Sequence, residues 1–224
     1  MNNMDTDIIC LSEHNLSTDQ FKTRQSLQSI VQKHIPAART ITTTSPIKFS
    51  SQFKPGGCIT ILTRTIHGRI TSQQQDELGR WTVVSLATKR SNLVYIITAY
   101  KPCKATLAQA GPLTVLRQQW TILRNKGIRN PNPRKQFDID LTKMIASIME
   151  KGHQVILFGD FNETKDQSDL FQSLYNLGLR DMVDNRHRNL PKFRSYARGN
   201  QVIDYGLCSL SLLPLINLST YEPF

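Results

Sequence analysis

Short apolar runs bounded by polar or turn-forming residues recur along the chain. Residues 7–11, Cys58–Leu62, Trp81–Ala87, 94–99, 155–158 and 202–207 are rich in Ile, Val, Leu and Thr, and each is too short for a helix. Runs of this length and composition predict β-strands. Gly56-Gly57 marks a turn just before the second run. The polar stretch 88–92 separates the third from the fourth, which predicts a hairpin.

A longer period appears between the runs. Ser17-Thr18-Asp19-Gln20 has the form of a capping box, and Phe21, Leu27, Ile30 and Val31 follow as a partial stripe, which predicts a first helix. Asn132-Pro133 places a cap residue before a first-turn proline. Phe137, Leu141, Ile145 and Ile148 then recur at helical spacing, and Gly152 ends the pattern. A further helix is predicted over 170–177, closed by Gly178, while 107–132 mixes helix-like and loop-like pieces. Strands and helices interleave without repeats or a domain boundary. The expectation is one α/β domain over 1–224, with two mixed β-sheets packed together and flanked by helices in four layers.

Composition adds three constraints. Hydrophobic residues make up 39% of the 224, enough for a core. No stretch approaches about 18 consecutive apolar residues, so no membrane-spanning helix is expected. The polar start MNNMDTDIIC lacks a signal-peptide pattern, so the expected location is intracellular, with nucleus and cytoplasm not distinguished. Cys10, Cys58, Cys103 and Cys208 show no metal-binding spacing, and three of them lie in or beside predicted strands as small hydrophobes. The formal net charge of +11 suggests a polyanionic partner, against the plainer reading of a basic solvated surface.

Four predicted strands carry a hydrogen-bonding or ionisable side chain at or near an end: Glu13 in LSEHN, Tyr100 in TAYKP, Asp160 and Asn162 in GDFN, and Asp204 in IDY. In an extended strand end, Asp160 and Asn162 would share one side and Phe161 would point into packing. Gly-Asp and Asn are also ordinary turn residues. An acid inside an apolar run, as at Asp204, is costly to bury unless paired or facing a site.

In this order and spacing, these motifs resemble the endonuclease/exonuclease/phosphatase superfamily, with its deoxyribonuclease-I-like fold. QQW at 118–120, NPNPRKQF and GHQVILFGDFNE resemble most the endonuclease domains of non-LTR retrotransposons. The resemblance implies a hydrolase that cleaves nucleic acid, DNA being the expected substrate, with no membrane partner. It implies Mg²⁺, or Mn²⁺ in its place, held by Glu13. Tyr100 would position the scissile phosphate, Asp160 would orient or deprotonate the attacking water, Asn162 would contact the phosphate, and Asp204 would brace a catalytic histidine. Phosphodiester hydrolysis needs charge neutralised on oxygen and an aligned nucleophile, which these residue types can supply.

Two elements of the family pattern are absent. The first motif's Asn lies on a strand well before the Glu, whereas only 12 residues precede Glu13. The terminal Ser-Asp-His has no counterpart, since none of His14, His34, His67, His153 and His187 follows Asp204. The sequence thus matches a domain missing its first and last motifs, and the expectation is reduced or lost activity. His14 is expected to be a surface residue because neighbours on a strand end face opposite ways. Two alternatives remain: a catalytically dead module that binds nucleic acid through basic clusters such as 126–129, 134–135, 186–188 and 192–198, and an inositol or lipid phosphatase. The second ranks lower, because Lys165 is the only cation close behind GDFN in the sequence.

Overall fold

The computed structural model describes residues 6–89, 91–187 and 201–219. Two sheets pack face to face. The smaller holds β1 (Ile8–Ser12), β2 (Arg39–Thr43) and β3 (Cys58–Leu62) in the order β1-β3-β2, antiparallel throughout. The larger holds β4 (Ile70–Gln75), β5 (Trp81–Ala87), β6 (Leu93–Tyr100), β7 (Gln154–Asp160), β8 (Leu179–Asp181) and β9 (Asp204–Ser209) in the order β4-β5-β6-β7-β9-β8. Among the described residues only β6 and β7 run parallel, and the crossover between them carries α2 (Val115–Asn125) and α3 (Pro133–Glu150). The predicted β5–β6 hairpin is present.

Helices close the outer faces. On the smaller sheet, Leu27 and Val31 of α1 (Phe21–His34) meet Ile59 and Ile61. On the larger sheet, α3 and α4 (Asp169–Asn176) cover Val83, Ile97, Val155 and Leu157 with Phe137, Leu141, Ile145, Phe171 and Leu174. Each such buried side chain contributes about 1.5–3 kcal/mol of transfer free energy. The expected sandwich of two sheets between helices is therefore the observed one. A last short helix, α5 (Met182–Arg186), follows β8.

The caps of α3 are as the sequence predicts. Asn132 Oδ1 accepts from Lys135 N at 3.1 Å, and Gly152 takes the left-handed φ of +77° that ends the helix. α1 differs. Its N-cap is Gln20, without a side-chain cap, because Leu16 bridges to Phe53 and Ser17 begins a turn closed by Gln20 N donating to Ser17 O at 3.0 Å. Ser17 Oγ is occupied with Asp19, and Gln20 Nε2 reaches across to Phe49 O at 2.9 Å. Tertiary contacts of the 49–53 segment have displaced the local capping box.

The sheets meet through a small apolar patch, which includes Ile41, Leu62, Val84 and Ile96, and through polar contacts. Thr60 of β3 lies 2.7 Å from the hydroxyls of both Thr82 and Thr98, a cross-strand pair of β5 and β6, and all three are fully buried. On α2, Gln118 of the QQW stretch donates to Leu113 O at 2.9 Å and Pro55 O at 3.3 Å and accepts from Ser45 Oγ, tying the helix to the loop before β3.

Gly159 in β7 has a steric reason. A Cβ there would come within 2.5 Å of Ala99 O on β6, a backbone atom that cannot move aside without opening the parallel ladder. Gly159→Ala is therefore expected to cost about 2–3 kcal/mol. The measurement is urea unfolding, with a lower midpoint at unchanged m-value.

Candidate active site

The register of the larger sheet sets three of the expected residues in one row. Tyr100 of β6 is paired with Asp160 of β7, and Asp160 with Asp204 of β9. Tyr100 and Asp160 end parallel strands. Asp204 is the first residue of β9, not an interior one as the apolar run suggests. It reaches the same end of the sheet because β9 runs antiparallel to β7. From the smaller sheet, β1 packs across β6 and β7 and delivers Glu13 just beyond its last residue. Glu13, Asp160 and Asp204 line one cleft of about 380 Å³, whose other wall includes Leu11, Phe158 and Met182.

Asn162 arrives by a different route from an extended strand end. Its φ is +50°, a left-handed conformation that asparagine tolerates, and its N–H donates to Asp160 Oδ1 at 2.9 Å. GDFN is thus a strand that ends in an Asx-turn. Nδ2 donates to Lys101 O at 2.8 Å, and Oδ1 accepts from Cys103 Sγ at 3.3 Å. Phe161 points the other way, fully buried against Phe137, Phe171 and Tyr205, as expected. Glu13 and Asn15 also have φ near +60°, so the loop after β1 turns sharply at the cleft.

Burial comes first in the electrostatics, and crowding of acids adds to it. Burial, then the charges of Asp204 and Glu13, push the Asp160 carboxyl up to about 7, against which the Asn162 hydrogen bonds act. Burial, with Cys103, Glu13 and Asp160 nearby, raises the Tyr100 hydroxyl well above its ordinary value, so it stays a protonated donor beside Glu13.

Several neighbours of the site were not legible in the sequence. Ser12 Oγ donates to Ala99 O at 2.8 Å and accepts from Asp160 N at 3.4 Å, joining the two sheets directly under the acids. Lys101, the residue after Tyr100, is buried, with its ammonium 2.6 Å from both Asp138 and Glu163. Arg134 adds bonds to Pro102 O and Glu163, and Ser168 donates to Glu163 at 2.5 Å. This clamp grips the residue after Asn162. Lys165 is therefore not the only cation near GDFN, and its own ammonium is held by Asp181 at 2.9 Å and by Asp184.

His14 is half-buried instead of exposed. Nδ1 accepts from Leu16 N at 3.0 Å and Nε2–H donates to Thr43 O at 3.1 Å, so the ring braces the loop in its neutral form, with burial lowering its pKa. Among the described residues, no histidine lines the cleft. Of the basic clusters, Lys126 pairs with Glu77, and the cations at 188–198 lie outside the described residues.

No protein-family profile matches the chain, and no curated protein does. Solved structures do. The catalytic domain of Xenopus laevis APE2 superposes with a TM-score of 0.62 at 15% identity, over 94% of this chain and 76% of that one. A 3'-5' exonuclease from Neisseria meningitidis gives 0.59 at 18% identity over 95% and 80%. The human Nocturnin catalytic domain gives 0.56 at 16% over 91% and 69%. The chain has the deoxyribonuclease-I-like fold. The superposed neighbours are of the endonuclease/exonuclease/phosphatase fold, and at these identities the likeness concerns architecture.

The donors suit a hard, largely hydrated divalent cation better than a closed metal cage. Among the described residues, no group of three His, Cys, Asp or Glu forms a ready-made site. Two carboxylates crowding Asp160 nevertheless create a local excess of negative charge, and Mg²⁺ typically takes one or two carboxylates and keeps its waters.

Two outcomes follow. Asp160 binds its proton more tightly folded than unfolded, so its stabilising effect is full below about pH 4 and is lost as pH rises to about 7. Asp160→Asn should remove that decline and raise stability at pH 7 in EDTA by on the order of 2 kcal/mol, read as the difference between the two proteins' urea curves across pH. Lys101→Met leaves Asp138 and Glu163 with an uncompensated buried charge and should cost about 3 kcal/mol in the same assay.

Proposed function

We propose that this domain hydrolyses phosphodiester bonds of nucleic acid, with DNA as the substrate and Mg²⁺ as the metal. The reading rests on one observation: Glu13, Asp160 and Asp204 line a single cleft, with Tyr100 paired beside Asp160 in the larger sheet. The fold supports it, since a Neisseria 3' phosphatase of similar fold was solved bound to a product DNA hairpin. The +11 charge is consistent with a polyanionic substrate. The likeness of QQW and GDFNE to retroelement endonucleases extends the proposal to biological origin.

Each group has a task within its observed surroundings. Glu13, exposed at the mouth of the cleft, is the metal ligand. A bound divalent cation would neutralise charge on the phosphate oxygens. Asp160, titrating near 7, is poised to take a proton from water at neutral pH. Tyr100 donates its hydroxyl hydrogen toward the phosphate. Asn162 spends one Nδ2 hydrogen on Lys101 O and has the other for a phosphate oxygen. Asp204 sustains the raised pKa of Asp160.

One observation favours a second reading, a module that binds nucleic acid but barely cleaves it. Among the described residues the cleft has no imidazole, because His14 is committed to Thr43 and Leu16. Conversion of supercoiled plasmid to nicked circle separates the two. The expected result is nicking with Mg²⁺, none with EDTA, and a loss of about 10²–10⁴ in rate for Asp160→Ala. Binding without nicking would select the module, and nicking indifferent to Asp160→Ala would remove the assignment.

A further inference from the structure

Beside the cleft lies a larger groove, of about 940 Å³, between the loop 101–107, one face of α3 and the start of α4. The two are linked where Lys101, which lines the groove, donates its N–H to Asp160 O of the cleft at 2.9 Å. Cys103 touches Asn162 and Tyr100, and Lys104, the next residue, lines the groove. Five cations and three carboxylates line the groove among the described residues. Lys101 and Arg134 are consumed by Asp138 and Glu163. Lys104, Lys135 and Lys143 are exposed, and the rim they form is positive. Apolar side chains line it too: Leu116 and Pro133 are buried, Leu107 is half-buried, and Ile139 is exposed on α3 between Lys135 and Lys143.

We propose that this groove carries the single-stranded continuation of the nucleic acid whose scissile phosphate sits at Asp160. The inference rests on the function proposed above and adds where the strand runs. Lys135 and Lys143 lie eight residues apart on α3. That is about 12 Å along the axis, the rise of three to four stacked nucleotides at roughly 3.4 Å each. Cations at that spacing suit a chain of phosphates better than one compact anion. Apolar surface set among those lysines suits the faces of unpaired bases, whereas a duplex presents mainly its phosphate ridges. The α3 N-terminus, with Asn132 as its cap and no acid in the first turn, adds its positive end at the same place.

The test compares wild type with Lys104→Glu/Lys135→Glu/Lys143→Glu and with a charge-matched control, Lys22→Glu/Lys33→Glu/Lys151→Glu, whose lysines are exposed on α1 and after α3. Binding of fluorescent oligothymidylates of increasing length is followed by anisotropy in EDTA over a salt series. In wild type, affinity should grow with length. In the groove variant the gain with length should vanish. The slope of log K against log salt should fall in magnitude by about 2, at roughly 0.7 for each single-strand phosphate that a lysine no longer neutralises. The control should keep both. A groove variant with the wild-type slope and length dependence, or a control that loses as much, overturns the groove while the phosphodiesterase reading stands. A wild type that binds no oligothymidylate and nicks no plasmid overturns both.

Discussion

The cleft depends on how closely β7 lies beside β6 at Gly159. With no side chain there, the two parallel strands keep their ladder to its end, and Tyr100, Asp160 and Asp204 fall in line across three strands. The same closeness brings Ser12 within reach of both Ala99 and Asp160, so β1 is seated against the row and Glu13 arrives opposite it. A backbone contact thus sets the row within the larger sheet, where groups far apart in sequence converge.

Convergence has an electrostatic cost. Glu13, Asp160 and Asp204 line one cleft, and the half-buried Asp160 is held near half-protonation at neutral pH. The surrounding protein keeps this arrangement by over-determining the turn that follows. Asp160 accepts from Asn162, Asn162 is held by Lys101 and Cys103, and Glu163 is gripped by Lys101, Arg134 and Ser168. The site is destabilised by its own charges and fixed by its neighbours, a division common where strain serves chemistry.

Much of this was legible in the sequence. The six apolar runs became strands, α3 starts and stops where Asn132-Pro133 and Gly152 indicate, and the layered sandwich follows from the interleaving. β2, β4 and β8 gave no comparable signal. β4 is an exposed edge strand of Gln and Ser, and β8 has only three residues. Asp204 reads as interior because Val202 and Ile203 extend the apolar run, although the ladder begins only at 204. The buried role of Lys101 could not be read, since a lysine after a strand is usually solvated, and its two acid partners come from α3 and from the GDFN turn. Motif spacing reports which residues meet; it does not report what holds them.

The hydroxyl trio of Thr60, Thr82 and Thr98 has a consequence for the halves of the cleft. Glu13 belongs to one sheet and its three companions to the other, and an interface of grease alone would let the sheets slip. Sliding by one residue would orphan buried hydroxyls at about 1–3 kcal/mol apiece. The threonines therefore act as a locating pin: they admit one seating of sheet on sheet, and so one distance across the mouth where the acids meet.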